Sequence, residues 1–86
     1  MGKVVLYRGV SGTEAVIVHG IGPAFLGDRW TTDQGTATAF VRDNGGVFTI
    51  VVDASRITPA NNRPDVFRLD ADHLTDEEIK TLSFSK

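Results

Sequence analysis

The stretch Val47-Phe48-Thr49-Ile50-Val51-Val52-Asp53 is the strongest strand signal in the chain. β-Branched and aromatic residues favour extended backbone, and the nearly continuous apolar run predicts a strand covered on both faces. Directly before it, Asp43-Asn44-Gly45-Gly46 has the composition of a tight turn. A second β-branched run, Lys3 to Tyr7, predicts another strand, and we expect these two strands to be central in the sheet.

Two capping signals predict helices near the two ends of the chain. Ser11 followed by Glu14 three residues later is typical of a capping box, so a short helix should begin there and stop at Gly20. The stretch Thr75-Asp76-Glu77-Glu78 repeats the pattern and predicts a last helix through about Leu82.

The middle of the chain supplies the remaining elements. Thr32 or Asp33 can cap a helix that runs to about Arg42. Residues 54–64 are polar and contain two prolines, which predicts a long, mobile loop, and residues 65–69 alternate in polarity as a strand does. The mixed order predicts an α+β fold: a small mixed or antiparallel sheet with about three short helices.

Composition limits the class of protein. The 86 residues suffice for one domain with a small core, spanning residues 1–86. The absence of cysteine excludes disulfides and a cysteine nucleophile, and it fits a reducing, cytoplasmic compartment. With only two histidines, no metal site is expected. The apolar runs fall well short of the roughly 20 residues that span a membrane, so no membrane partner is expected.

Charge is unevenly distributed along the chain, whose net charge is −2. Residues 65–78 carry six acidic side chains against Arg68 alone. This segment disfavours contact with a phosphate backbone, so a nucleic-acid partner is not expected. The acidic segment could instead face a basic partner, or it could simply be the solvated start of a helix.

Three features could carry chemistry. Arg8 ends a strand beside Gly9, where a guanidinium suits a diphosphate or a ribose hydroxyl and glycine permits close approach; a solvated strand end is the alternative. The hydroxyls of Thr31 and Thr32 could orient a charged group or only cap a helix. Asp65 could stabilise a developing cation or be an ordinary turn acid.

Taken together and in this order, these features resemble the mono-ADP-ribosyltransferase superfamily, in its arginine-serine-glutamate branch. Residues 6–9 look like its first motif, a strand that ends in the arginine that contacts NAD. Residues 30–33 look like the second motif, where an aromatic residue precedes a Ser-Thr-Ser-like strand and a helix. Residues 65–69 fall where the third motif places its glutamate. The resemblance covers roughly residues 3–70.

The resemblance implies a reduced ADP-ribosyltransferase core that uses NAD as substrate in a cleft between two short sheets. Arg8 would hold the phosphate or the nicotinamide ribose, Gly9 the carboxamide, and Thr31 would orient the acid. Asp65 would stabilise the oxocarbenium-like transition state and orient the acceptor. The implied residues are Arg8, Thr31 and Asp65 for catalysis and Arg8, Gly9, Trp30 and Thr32 for NAD binding.

One departure from the family pattern keeps a second function open. Asp65 stands where the family has glutamate, and it is one methylene shorter. A misplacement on the order of 1 Å can cost roughly 100-fold in rate. The alternative is therefore a non-catalytic inhibitor or binding protein, phage- or toxin-associated, that acts through a protein–protein surface. A protein target or partner is expected in either case.

Overall fold

The computed structural model describes residues 2–60 and 63–86, and the chain has the α+β fold that the sequence predicts. Within these ranges the helices are α1 (Gly12–Ile21), α2 (Gln34–Ala39) and α3 (Asp76–Thr81). The strands are β1 (Lys3–Val10), β2 (Arg29–Thr31), β3 (Gly46–Asp53), β4 (Ile57–Pro59), β5 (Val66–Leu69) and β6 (Ser83–Ser85).

The strands form one six-stranded sheet in the order β4-β5-β2-β1-β3-β6, with antiparallel neighbours throughout. β1 is one of the two middle strands, and β3 lies beside it with a strand on either side; the two pair along the full eight residues of each strand. In contrast, β1 and β2 share one register pair, Tyr7 opposite Thr31. The sheet therefore consists of two three-stranded halves, β4-β5-β2 and β1-β3-β6, which meet at this pair.

The two faces of the sheet have different surroundings. Side chains alternate along a strand, so Leu6 and Arg8 project from one face of β1 and Tyr7 from the other. The face with Leu6, here called the core face, packs against α1; the opposite one is called the outer face. On the outer face of β3, Val47 is buried but Thr49 and Val51 are only half-buried, so the predicted coverage of both faces holds only at the start of the strand. The largest fully buried side chains are Trp30, Phe48, Leu6, Ile50, Leu69, Val10 and Val52.

α1 begins as the sequence predicts, with the hydroxyl of Ser11 accepting a hydrogen bond from the backbone N–H of Glu14. The Glu14 carboxylate turns away from the cap and binds Arg8 instead. The helix continues through Gly20 and ends at Gly22, whose φ of 138° favours glycine. The stop predicted at Gly20 is thus displaced by two residues.

α2 lies on the outer face and crosses β1 at Gly9. A Cβ at Gly9 would collide with the carbonyl oxygen of Ala37, so glycine is what allows this close contact. Of the two predicted caps the structure uses Asp33, whose carboxylate accepts from the N–H of Thr36.

The end of α2 comes earlier than the sequence predicts. The helix stops at Ala39 rather than near Arg42, because the N–H of Phe40 bonds back to Ala37 and tightens the last turn. The predicted turn before β3 is confirmed. Asp43 and Asn44 adopt left-handed φ values of 53° and 62°, a conformation that these two residue types tolerate better than most.

The prediction of a long loop over residues 54–64 is wrong for its first half. Asp53 caps a short 3₁₀ turn at Ala54–Arg56, and β4 then pairs with β5 in an antiparallel register. Polar composition and prolines hid this strand; Pro59 is tolerated because β4 is an edge strand. The predicted mobility falls partly on residues 61 and 62, which lie outside the described residues.

The C-terminal region confirms one prediction and adds a strand. Thr75 and Glu78 form a reciprocal capping box at the start of α3. The three-residue β6 then pairs with β3 and places Phe84 against Phe48, with ring centroids 4.7 Å apart. Among the described residues, no helix combines the length and the apolar character needed to cross a membrane.

Candidate functional site

The junction between the sheet halves brings together two of the predicted catalytic residues. Thr31 ends β2 opposite Tyr7, so both side chains project from the outer face. Asp65 directly precedes β5, whose first residue, Val66, lies opposite Thr31. Thr31 is only 5% exposed, and its hydroxyl donates to Oδ2 of Asp65 at 3.3 Å.

A second hydroxyl and a second carboxylate complete this cluster. The Thr36 hydroxyl, from the first turn of α2, lies 2.6 Å from Oδ2 of Asp33 and 3.1 Å from Oδ2 of Asp65. The backbone N–H of Asp33 donates to the Thr31 hydroxyl at 3.0 Å. The backbone N–H of Thr32 donates to the carbonyl of Asp65, also at 3.0 Å. Asp65 is therefore held through both its side chain and its main chain.

Both carboxylates of the cluster are ionised at neutral pH. Partial burial opposes the charge on Asp65, but the hydrogen bonds from Thr36 and Thr31 and the neighbouring Arg63 lower its pKa overall. The side-chain and backbone donors of Thr36 likewise lower the pKa of Asp33. An oriented, charged carboxylate beside a buried hydroxyl can stabilise positive charge that develops on a bound molecule.

Arg8 does not join this cluster. It follows Tyr7 in β1, so its side chain projects from the core face, whereas Thr31 and Asp65 are on the outer face. Its Nε and Nη2 donate to the Glu14 carboxylate at 2.9 and 3.1 Å, and its Nη1 donates to the carbonyl of Arg29 at 2.9 Å. The expected convergence of Arg8 with the acid is thus prevented by strand alternation and by the ion pair with Glu14.

The other three predicted NAD-binding residues are dispersed. Trp30 is 1% exposed on the core face, where its indole N–H donates to the carbonyl of Gly27, so its ring offers no accessible wall. Gly9 lies beneath Ala37 of α2. Thr32 is exposed beside Asp65, and it is the member of this set that remains next to the acid.

A groove with room for a ligand lies elsewhere in the described part of the chain. It has a volume of about 630 Å³ between α1 and β6 and is lined mainly by apolar atoms, among them those of Val16, Ile17 and Phe84. The groove also has charged or titratable side chains, those of His19, Asp43 and Lys86, but within the described residues none of them makes an ion pair that would fix its orientation. The smaller, polar cluster around Asp65 is therefore the stronger candidate for chemistry.

Sequence reasoning missed Thr36. An N-cap side chain accepts a hydrogen bond from the backbone N–H three residues later. With Asp33 as the N-cap, that residue is Thr36, so Thr36 lies beside the Asp33 carboxylate. What the spacing could not show is that Asp65, which is 29 positions later, shares the same hydroxyl.

No protein-family model, curated protein or solved structure matches the chain. The candidate site is accordingly defined by its own contacts: the hydroxyls of Thr31 and Thr36, the carboxylates of Asp33 and Asp65, and the ring of Tyr7 on the same face.

Proposed function

We propose that the protein binds NAD on the outer face of the sheet and transfers ADP-ribose from it to a protein or other acceptor. The observation that carries the proposal is the hydrogen bond from the Thr31 hydroxyl to Asp65 at the junction of the two sheet halves. It places a hydroxyl and an acid from two of the three family-like motifs in contact. The resemblance implies NAD in a cleft between two short sheets. The structure has one continuous six-stranded sheet instead, so the proposed position of NAD is the outer face where β1 pairs with β2.

In the proposed reaction, the bond between C1′ of the nicotinamide ribose and the ring nitrogen breaks, and its electron pair leaves with nicotinamide. Positive charge develops on the ribose, and the Asp65 carboxylate stabilises it. An acceptor X–H then forms a bond to C1′ and releases its proton, giving ADP-ribosyl-X, nicotinamide and H⁺. Water as acceptor gives free ADP-ribose instead.

The surrounding residues act by positioning. Thr31 and Thr36 hold the Asp65 carboxylate in one orientation, which avoids reorganisation when charge develops. Tyr7 offers an aromatic ring on the same face, against which the flat nicotinamide ring could pack. The buried Trp30 cannot provide this contact. Arg8 acts from the core face, where its bond to the Arg29 carbonyl ties β1 to β2 beside the junction.

The proposal is tested by measuring nicotinamide release from millimolar NAD. We expect Asp65→Asn to abolish release while leaving the thermal unfolding midpoint nearly unchanged, because the amide carries no charge. Asp65→Glu should preserve or raise the rate, since it supplies the reach of the family's glutamate. Asp53→Asn is the matched control: it changes an acid that caps the 3₁₀ turn after β3, and asparagine caps equally well.

Absence of both NAD binding and nicotinamide release in the wild-type protein would refute the proposal. Release that persists in Asp65→Asn would also contradict it, because the reaction would then not depend on the carboxylate.

A second candidate function is non-catalytic binding of a basic partner protein. The observation that favours it is the set of exposed acidic side chains around the start of α3, those of Asp72, Asp76 and Glu77. Glu78 is excluded from this set because it is buried and paired with Arg56. Binding of a lysine-rich peptide that is lost in Asp72→Lys/Glu77→Lys and retained in Asp65→Asn would support this candidate; equal binding by all three proteins would remove it.

A further inference from the structure

We propose that Arg29 and Arg68 form an anion site for the diphosphate of a nucleotide, on the same face of the sheet as Asp65. This inference rests on the proposed function, because it gives the diphosphate of NAD a binding position that Arg8 does not provide. The chemical class of the ligand is a nucleoside diphosphate.

The two arginines are direct neighbours across two strands. Arg29 of β2 lies opposite Arg68 of β5 in the antiparallel register. Opposite residues project from the same face, with Cβ atoms roughly 4.5–5.5 Å apart. Arg29 is two residues before Thr31 in β2, so both arginines share the outer face with Thr31.

The two arginines repel each other, and one of their nitrogen atoms lacks a hydrogen-bond acceptor. Like charges directly opposite each other on a sheet destabilise it. The Nε of Arg29 is buried without a hydrogen-bond partner among the described residues. Its nearest carboxylate, that of Asp28, lies 3.7 Å away, beyond hydrogen-bond distance. A phosphate would reach the solvent-facing part of Arg29, whose side chain is 37% exposed, together with the exposed Arg68, and would neutralise both charges at once.

Other charged groups lie close to Arg68. A hollow of about 430 Å³ beside it is lined by Arg56, Asp28, Asp70 and Asp72. Arg56 is held by Glu78, and the Asp70 carboxylate lies 2.7 Å from the His73 ring. Arg68 makes no salt bridge within the described ranges, so its guanidinium remains available to a ligand. The three aspartates reduce the anion's affinity, and the binding should weaken as ionic strength rises.

The position of the pair fits a diphosphate rather than another part of NAD. Arg29 and Thr31 are two positions apart along β2, a distance of roughly 7 Å. In NAD, one ribose separates the diphosphate from the bond that breaks. A diphosphate at Arg29 and Arg68 would therefore place that ribose near Thr31 and Asp65.

Titration calorimetry with ADP, inorganic pyrophosphate and AMP tests the site without requiring catalysis. We expect wild-type protein to bind ADP and pyrophosphate, and AMP about tenfold more weakly. Arg68→Gln should lose roughly tenfold or more in affinity for ADP, since one charge-assisted contact is removed. Arg42→Gln is the matched control, because Arg42 is also exposed but lies beyond α2, outside the six strands. Arg29→Lys, which keeps the charge but loses the planar fork, should give an intermediate loss.

Equal ADP affinity in wild type and Arg68→Gln, or no ADP binding at millimolar concentration, would overturn the inference. Its failure is distinguishable from that of the proposed function. If Arg68→Gln cleaves NAD with an unchanged KM, the proposed diphosphate site is refuted and the proposed transfer reaction stands. If ADP binding depends on Arg68 but the protein does not cleave NAD, the diphosphate site stands and the transfer reaction is refuted.

Discussion

The Thr31 hydroxyl donates to the carboxylate of Asp65 at 3.3 Å, across 34 positions of the chain. The contact exists because Thr31 lies opposite Val66, and Asp65 precedes that residue. It occurs at the place where the two halves of the sheet share one register pair. A buried hydroxyl and an ionised acid are thereby fixed on one face, with Arg8 on the other.

Truncation of Ile50 should strongly destabilise the fold. This side chain is 0% exposed at the centre of the core. Ile50→Ala removes buried methyl groups and leaves a cavity, which we expect to lower the free energy of unfolding by about 2–5 kcal/mol. Urea denaturation measures the change. Val51→Ala, one position along on the outer face, is the control; a loss in Ile50→Ala no larger than in this control would show that β3 is not central.

Removal of the Arg8 side chain should lower the stability of the fold rather than the affinity for a ligand. Arg8→Ala removes the donor to the Arg29 carbonyl and leaves the part-buried Glu14 carboxylate with the Gly27 N–H at 3.4 Å in place of its paired guanidinium. We expect the free energy of unfolding to fall by about 1–3 kcal/mol. The exposed Arg42→Ala serves as control. An Arg8→Ala protein of wild-type stability that binds NAD more weakly would instead support the ligand-binding role that the sequence motif implies.

Stability should decrease in acid partly through Glu78. Hydrogen bonds from Arg56 hold the pKa of Glu78 below its ordinary value of 4.5. A carboxyl whose pKa is lowered by folding stabilises the protein above the unfolded pKa and loses this contribution as pH falls through the folded one. Below about pH 4.5, the wild type should therefore lose stability more steeply than Glu78→Gln. Urea denaturation midpoints measured from pH 7 to pH 2 give the change in stability with pH for each protein. Equal slopes for these two proteins would contradict the prediction, and the exposed Glu77→Gln is the control.

Trp30 should report folding but not ligand binding at the outer face. It is the single tryptophan and is buried on the core face. Its emission should be blue-shifted in the folded protein and move to longer wavelength on unfolding. Addition of NAD should leave the emission maximum in place. A maximum like that of free tryptophan before unfolding would contradict its burial, and a shift with NAD would indicate a ligand on the core face.

Local signals in the sequence were sufficient for much of the fold. The apolar runs of β1 and β3 and the capping residues Ser11, Asp33 and Thr75 act within a few positions, so their consequences could be predicted. β4 and β6 have three residues each and no distinctive composition. Their existence depends on pairing with distant strands, which the sequence alone does not reveal.

The candidate site shows the same division. Alternation along β1 puts Arg8 on the face of Leu6, which could be inferred from the sequence. The register that places Thr31 opposite Tyr7 could not, because it depends on how β2 pairs with β1. Without that register, Arg8 and Thr31 could be assigned to one cleft, although the structure separates them by the thickness of the sheet.

A titration of NAD into ¹⁵N-labelled protein, followed by two-dimensional NMR, tests the location of the proposed site most directly. We predict shifts at the amides of Tyr7, Thr31, Asp65 and Arg68, which surround the outer-face junction, and much smaller shifts in the same titration of Arg68→Gln. Shifts confined to the groove between α1 and β6, or no shifts at millimolar NAD, would contradict the account.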